Sequence, residues 1–337
     1  VALTNSNIST AVNAWFASSD KTSATNTYGH ISQWDVTGVT NMDSLFIYKT
    51  FTIVDDISGW NVINVTSMVS TFMFTAGSIV GNMLSGWDTR NVVNMANLFN
   101  QTAIFPGGNI SGWDVRKVTN MYQMFLYNTQ FNGSLAGWQP YAVTNMEKMF
   151  RLASFNNDSL NGWDVSNVQN MFCMFQQSSF NGNIGSWDTK NVTNMALMFN
   201  FASQFNRDIS GWDVRNVTNM SGMFANAQAF NQDLNWDVTK VTNMDNLLSG
   251  ATSFYRDLSE WETPLIGSEP SNFKTGAPLA TNPKFYPHWG KFRLNVIGSR
   301  NLIIEKDSVY TDQGVSDSYP NIITTSNVNT AVVGNYT

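Results

Sequence analysis

Ten tryptophans, Trp34, Trp60, Trp87, Trp113, Trp138, Trp163, Trp187, Trp212, Trp236 and Trp261, follow one another at intervals of 24 to 27 residues. A fixed period of that size marks stacked units that cannot bury their apolar faces alone. Val-Thr-Asn-Met travels with the tryptophan, at 217–220 and again at 241–244. An array of coils is therefore the first constraint on the fold, and a length of 337 residues no longer counts domains.

In the unit that begins at Ile209, Ile-Ser-Gly-Trp-Asp-Val-Arg-Asn-Val, the apolar residues have the L-x-x-L-x-L spacing of a leucine-rich repeat, with Trp212 at the second leucine. Trp212 and Val214 alternate with Gly211, Asp213 and Arg215, which predicts a half-buried strand. Val217 turns inward, Thr218 is placed to cap a short helix, and Met220, Met223 and Phe224 share one face of it. Phe230 closes the coil and Asn231 begins the return loop. Met121, Met124 and Phe125 repeat the helical triplet, as do Met171, Met174 and Phe175, and Met195, Met198 and Phe199. An asparagine precedes the first Met in most coils, as at Asn94, Asn120, Asn145, Asn170, Asn194, Asn219 and Asn243. Buried there, it is expected to bond the backbone of the neighbouring coil. The fold class is thus an α/β repeat, a right-handed leucine-rich-repeat-like solenoid of about nine coils of 24–27 residues. At about 4.8 Å per coil its body is on the order of 40–45 Å long.

Solenoid ends expose apolar surface and need covering. Residues 1–30 supply a helical N-terminal cap, in which Ile8, Ala11, Val12, Trp15 and Phe16 form a helical stripe behind Asn5-Ser6-Asn7. The solenoid occupies 31–263, with Trp261 opening an incomplete tenth coil. Pro264, Pro278, Pro283 and Pro287 mark 264–295 as an irregular C-terminal cap or linker. From 296 to 337 the texture is strand-like, in Asn301-Leu-Ile-Ile-Glu, Ser308-Val-Tyr-Thr and Asn321-Ile-Ile-Thr-Thr, which predicts a partial β-sandwich.

"WDVRNVTNMSGMFANAQAFNQDL", residues 212–234, closely resembles the unit of BspA-like leucine-rich-repeat surface proteins in the form seen in mycoplasma lipoproteins. The likeness covers about 31–263, with local departures at Asn61-Val-Ile and Gln139-Pro-Tyr. It implies a cell-surface protein acting in adhesion or host interaction, with no enzymatic activity shared across the family. The tail "IIEKDSVYTDQGVSDSYPNIITTSNVNTAVVGNYT" resembles the opening strands of bacterial immunoglobulin-like repeats. Such a tail is expected either to continue in a longer protein or to take its missing strands from a neighbouring chain.

Composition narrows the partners. The net charge is −6, which cannot neutralise a run of phosphates, so nucleic acid is not expected. No apolar run approaches the roughly 18 residues of a membrane helix, so no membrane insertion is expected in this segment. The sequence opens at Val1 without a Met, which is compatible with a removed signal peptide, and none is visible in it. Cys173 is the only cysteine, leaving neither a disulfide framework nor a Cys-based metal site. It reads as a small core filler or a half-exposed thiol.

His30 and His288 stand near the two ends of the array without a recurring nucleophile, and no H-E-x-x-H, G-x-S-x-G, P-loop or dinucleotide pattern appears. No catalytic residue, cofactor or metal is therefore assigned. The suggestive feature is the residue after the tryptophan: Asp35, Asp88, Asp114, Asp164, Asp188, Asp213 and Asp237, with Asn61 and Gln139 completing the column. In a leucine-rich repeat it points out of the concave sheet, and Arg90, Arg116, Lys190 and Arg215 share that face. It is either a charged recognition strip, or a cation site, or a set of carboxylates that bond turn amides and pair with basic neighbours. The last is preferred, because closely spaced calcium-loop carboxylates are missing. Among many Asn-x-Ser/Thr sequons, Asn100, Asn109 and Asn157 fall at helix ends or in loops and are the candidate glycosylation positions.

The expected function is a non-enzymatic extracellular or surface repeat scaffold that mediates adhesion or protein–protein assembly. Its partner is expected to be a protein, or another copy of itself, with a glycan as the further option. The alternatives are a structural subunit of an extracellular filament or coat, and a glycan- or protein-recognition module using the concave face.

Overall fold

The computed structural model describes residues 1–77, 82–102, 109–295 and 301–305. Successive repeats stack in parallel, with bridges that run Asn41 to Ser67, to Asn94, to Asn120, and on to Asn219 and Asn243. One hydrophobic core is continuous from Leu3 to Leu279. Its axis is built of aromatic columns. The tryptophans stack on one another, as Trp60 on Trp87 at 6.4 Å and Trp212 on Trp236 at 6.5 Å. A phenylalanine column runs beside them, with Phe125, Phe150 and Phe175 spaced 5.4 and 5.6 Å apart.

Trp212 and Val214 are buried and Asp213 faces outward, as alternation predicts. Among the described residues, however, that stretch forms a strand ladder only at the two ends of the array, at Asp35–Gly38 and at Glu262–Thr263, which pairs in parallel with His288–Trp289. The indole itself reaches the neighbour instead. Trp60 Nε1 donates to Ile31 O at 3.0 Å and Trp212 Nε1 to Ile184 O at 3.0 Å, each in the preceding coil. The backbone ladder lies further on, where Thr218 N donates back to Thr193 O and Met220 N donates forward to Asn243 O, both at 2.9 Å.

The predicted short helix is replaced by chained β-turns. In the first coil Leu45, Ile47 and Lys49 donate to the carbonyls three residues back, of Met42, Ser44 and Phe46. The alternate amides of Met42, Ser44, Phe46 and Tyr48 donate to Ser67, Val69, Thr71 and Met73 of the next coil. A helix would send all of these amides back into its own chain and leave the coils unjoined. Every fourth residue takes a left-handed backbone, φ being +57° at Ser44 and Tyr48 and +56° at Cys173 and Gln177. Such a conformation costs roughly 1–2 kcal/mol for a residue with a Cβ. It persists where surrounding bonds over-determine it, as the two interleaved hydrogen-bond sets do here.

The ladder asparagine also differs from expectation. Asn194 and Asn219 are half-buried, and each Oδ1 accepts the amide two residues on, from Ala196 and Ser221 at 3.0 Å. The bond to the neighbouring coil comes from the asparagine three places earlier, as Asn191 Nδ2 to Ser166 O and Asn216 Nδ2 to Lys190 O, both 2.7 Å. A third set links Asn156, Asn181, Asn206 and Asn231, where each Oδ1 accepts the backbone amide of its equivalent in the next coil, or of Tyr255 after the last. Polar side chains thus do at the corners what a sheet does with backbone alone.

At the head, β1 (Ala2–Thr4) pairs in parallel with β2 (Asp35–Gly38). Helix α1 (Ile8–Phe16) buries the predicted Ile8, Ala11, Val12 and Trp15, and α2 (Thr22–Tyr28) follows it. Past Trp261 the ladder continues through a segment expected to be irregular. Asn246, Leu248 and Gly250 donate to Ser271, Phe273 and Thr275, each at 2.8 Å. Pro270 lies just before these acceptors and has no amide hydrogen to leave unpaired. Lys291–Asn295 pairs antiparallel with Asn301–Glu305, so this hairpin crosses the boundary expected at 296. The remainder of the expected partial sandwich, 306–337, lies outside the described residues.

Candidate functional site

The carboxylate column is assembled by one local motif. Each Asp follows a buried tryptophan and precedes a buried Val or Thr, so its side chain is left at a corner facing solvent. There its Oδ1 accepts the amide two residues on. Thr37 N donates to Asp35 at 3.0 Å, Ser166 N to Asp164 at 2.9 Å, Arg215 N to Asp213 at 3.1 Å and Thr239 N to Asp237 at 3.1 Å. Where the residue two on is basic, the second oxygen takes an ion pair. Arg90 meets Asp88 at 2.7 Å, while Arg116–Asp114, Lys190–Asp188 and Arg215–Asp213 are each 2.6 Å.

These bonds set the ionisation. Hydrogen bonds from the guanidinium groups hold the carboxyls of Asp88, Asp114 and Asp213 below the ordinary carboxylate range. Hydroxyl and amide donors of Thr37 and Ser166 do the same for Asp35 and Asp164. The arginines remain about two-thirds exposed, so the pairs add little to stability and leave charge on display. Lys190, Asp213, Arg215, Asp237 and Lys240 line one shallow groove of about 470 Å³ across successive coils. Among the described residues no three His, Cys, Asp or Glu side chains gather where a metal ion would sit.

The glycan candidates separate. Asn109 is exposed, with its oxygen accepting from Ser111 N and Oγ. Asn100 is only 2% exposed, and its amide nitrogen donates to Asn97, so it has no room for a sugar. Asn157 Nδ2 is spent on Asn132 O and Gly133 O of the previous coil, while its oxygen caps a short 3-10 turn. Sequence spacing placed both at element ends but could not show where their amides point.

His30 accepts or shares a proton with Ser32 Oγ at 2.8 Å and packs edge-on to Trp15. Cys173 is buried, and burial pushes its thiol up to about 11. One group escaped the sequence reading altogether. Asp55 is fully buried and accepts from Trp15 Nε1 at 2.7 Å, Thr52 N at 2.6 Å and Thr52 Oγ1 at 2.8 Å, with Lys21 Nζ at 3.5 Å. It ties the head helices to the first coils. The adjacent Val54-Asp55-Asp56 gave no sign of this, because nothing local marks a carboxylate whose partner is forty residues upstream.

The family described as "Mycoplasma protein of unknown function, DUF285" matches three overlapping stretches, residues 10–107, 73–181 and 173–284. No curated protein and no solved structure matches the chain. The matched stretches together run from residue 10 to residue 284, through the stacked repeats and both of their ends, and on that ground the chain belongs to the DUF285 family.

Proposed function

We propose that this chain is a non-enzymatic extracellular surface scaffold, a right-handed leucine-rich-repeat-like solenoid of the BspA-like kind with turn-built coils, which mediates adhesion by docking a protein. The observation that supports this is the charged corner, repeated in one geometry on Asp88–Arg90, Asp114–Arg116, Asp188–Lys190 and Asp213–Arg215. The core has no use for the basic side chains there, whereas a partner with complementary charge gains register and association rate from a regular row. The membership in a mycoplasma family of repeats accords with a surface role.

The test is adhesion of beads coated with the purified chain to mycoplasma host cells. Arg90→Glu, Arg116→Glu and Arg215→Glu together are expected to cut adhesion by about tenfold at low salt, the loss fading as salt is raised. Equal adhesion by the triple variant would defeat the proposal.

A further inference from the structure

The turn segments carry a second column, on a different stretch of each coil from the Asp corner. It is the last left-handed residue of each turn chain, and its side chain lies on the outside of the wall. The first three coils place Tyr48, Phe74 and Gln101 there, the next three Tyr127, Leu152 and Gln177, and the seventh begins again with Phe201. Tyr48 is 70% exposed, Tyr127 45% and Phe201 51%. The exposed rings thus recur at the first, fourth and seventh coils, with Gln101 and Gln177 at the third and sixth.

The backbone does not call for large side chains here. The backbone at these positions has φ between +52° and +57°, which glycine and asparagine adopt far more cheaply than tyrosine or phenylalanine. The last two coils use Asn226 and Gly250 at the same place. Large rings held in a disfavoured conformation and left in water point to use at a ligand surface. The surface between them is also set in advance. Arg151 lies over the Tyr127 ring at 5.9 Å and donates to Gln176 Oε1 at 2.6 Å, and Gln176 donates to Asn200 Oδ1 at 2.8 Å. Tyr48 stacks on Phe74 at 4.8 Å.

We propose that this column binds a linear, neutral polysaccharide. Phe201, and the faces of Tyr48 and Tyr127 that Phe74 and Arg151 do not cover, are offered to the C–H faces of pyranose units, and the amides of Gln101 and Gln177, which both donate and accept, suit sugar hydroxyls. The column itself bears no charge. At about 4.8 Å per coil its exposed rings stand about 14 Å apart on one line. Exposed rings spaced three coils apart over the first seven coils suit a ligand that itself repeats in one direction; the surface of a folded protein has no such period. This site does not rest on the adhesion proposal, since none of its residues belongs to the charged corner.

The experiment is affinity electrophoresis of the whole chain through gels holding β-1,4-glucan, β-1,3-glucan, α-mannan or galactan, each also offered as free oligosaccharides from trimer to dodecamer. Retardation by at least one gel is expected, with competition by dodecamers and not by trimers, which are too short to bridge two rings. Tyr48→Asn, Tyr127→Asn and Phe201→Asn combined should weaken the interaction by about tenfold or more without lowering the melting temperature, because asparagine fits that backbone. Retardation by none of the four gels would overturn the proposal, as would retardation that the triple variant leaves unchanged. A protein ligand lost in the same variant, with no polysaccharide retained, would reassign the column and overturn it equally.

Discussion

Asp55 carries more consequence than any other charged side chain at the head of the array. It is buried completely, and the Trp15 indole, Thr52 and the Lys21 ammonium all converge on it. Lys21 also sits over the Phe16 ring at 4.7 Å. Removing the carboxylate strands a buried N–H and a largely covered cation, so Asp55→Ala is expected to lower stability by about 3–5 kcal/mol in urea denaturation. A loss no greater than that of a surface substitution would show the cap to be held by packing alone. The corner aspartates behave differently. Their folded carboxyls lie below the unfolded value, so the native state binds fewer protons, and the stabilisation they give is present above about pH 4 and lost as pH falls further. Acid titration of the melting temperature should show a fall beginning there, and Arg90→Ala, Arg116→Ala and Arg215→Ala together should make that fall shallower, because folded carboxyls without their guanidinium partners titrate closer to unfolded ones. An unchanged acid limb in that variant would rule out the ion pairs as its source. Which residues would occupy the corner was legible in the sequence, since a polar residue between buried Trp and Val has one direction to face. The destination of their bonds was legible only in kind, and Asp55 was not legible at all.

Elements show where sequence reasoning reached its limit. Met220, Met223 and Phe224 are buried, as a helical stripe requires, but chained turns bury the same positions. Spacing reports which side chains are inside. It does not report whether an amide bonds its own chain or the next coil, and that choice separates the two structures. Gln177 distinguishes them in solution. It is exposed and has φ of +56°. In a helix Gln177→Gly would destabilise by roughly 0.5–1 kcal/mol. In the left-handed turn it is expected to stabilise by about 0.5–1 kcal/mol, read as a rise in the denaturation midpoint. The alternation at Trp212 and Val214 misled in the same manner: inside and outside were right, while the ladder expected there lies at the asparagine.

For the whole molecule, the repeat period was the most legible feature and the ends the least. The consensus ends at Trp261, yet the ladder goes on to Thr275, because backbone acceptors need no consensus side chain. Coils touch mainly their neighbours, so damage should remain local. Trp212→Ala removes a ring stacked between Trp187 and Trp236 and is expected to cost about 3–5 kcal/mol. Hydrogen exchange should rise first around 187–236, and a uniform rise over all coils would count against nearest-neighbour stacking. EDTA is expected to leave the melting temperature unchanged, and a rise on adding millimolar calcium would reveal a cation site at the carboxylates. The forward-pointing amides of the turn segments have a mechanical meaning as well. They lie along the stacking direction, so a pull on the two ends loads them in tension, a few at a time, rather than shearing a whole sheet at once. Such a body should not snap; it should pay out like tape, one coil per event, each releasing roughly 80 Å of chain. A protein of that kind placed between two surfaces would act as a shock absorber, and the sawtooth recorded by single-molecule stretching would have the period of the tryptophans.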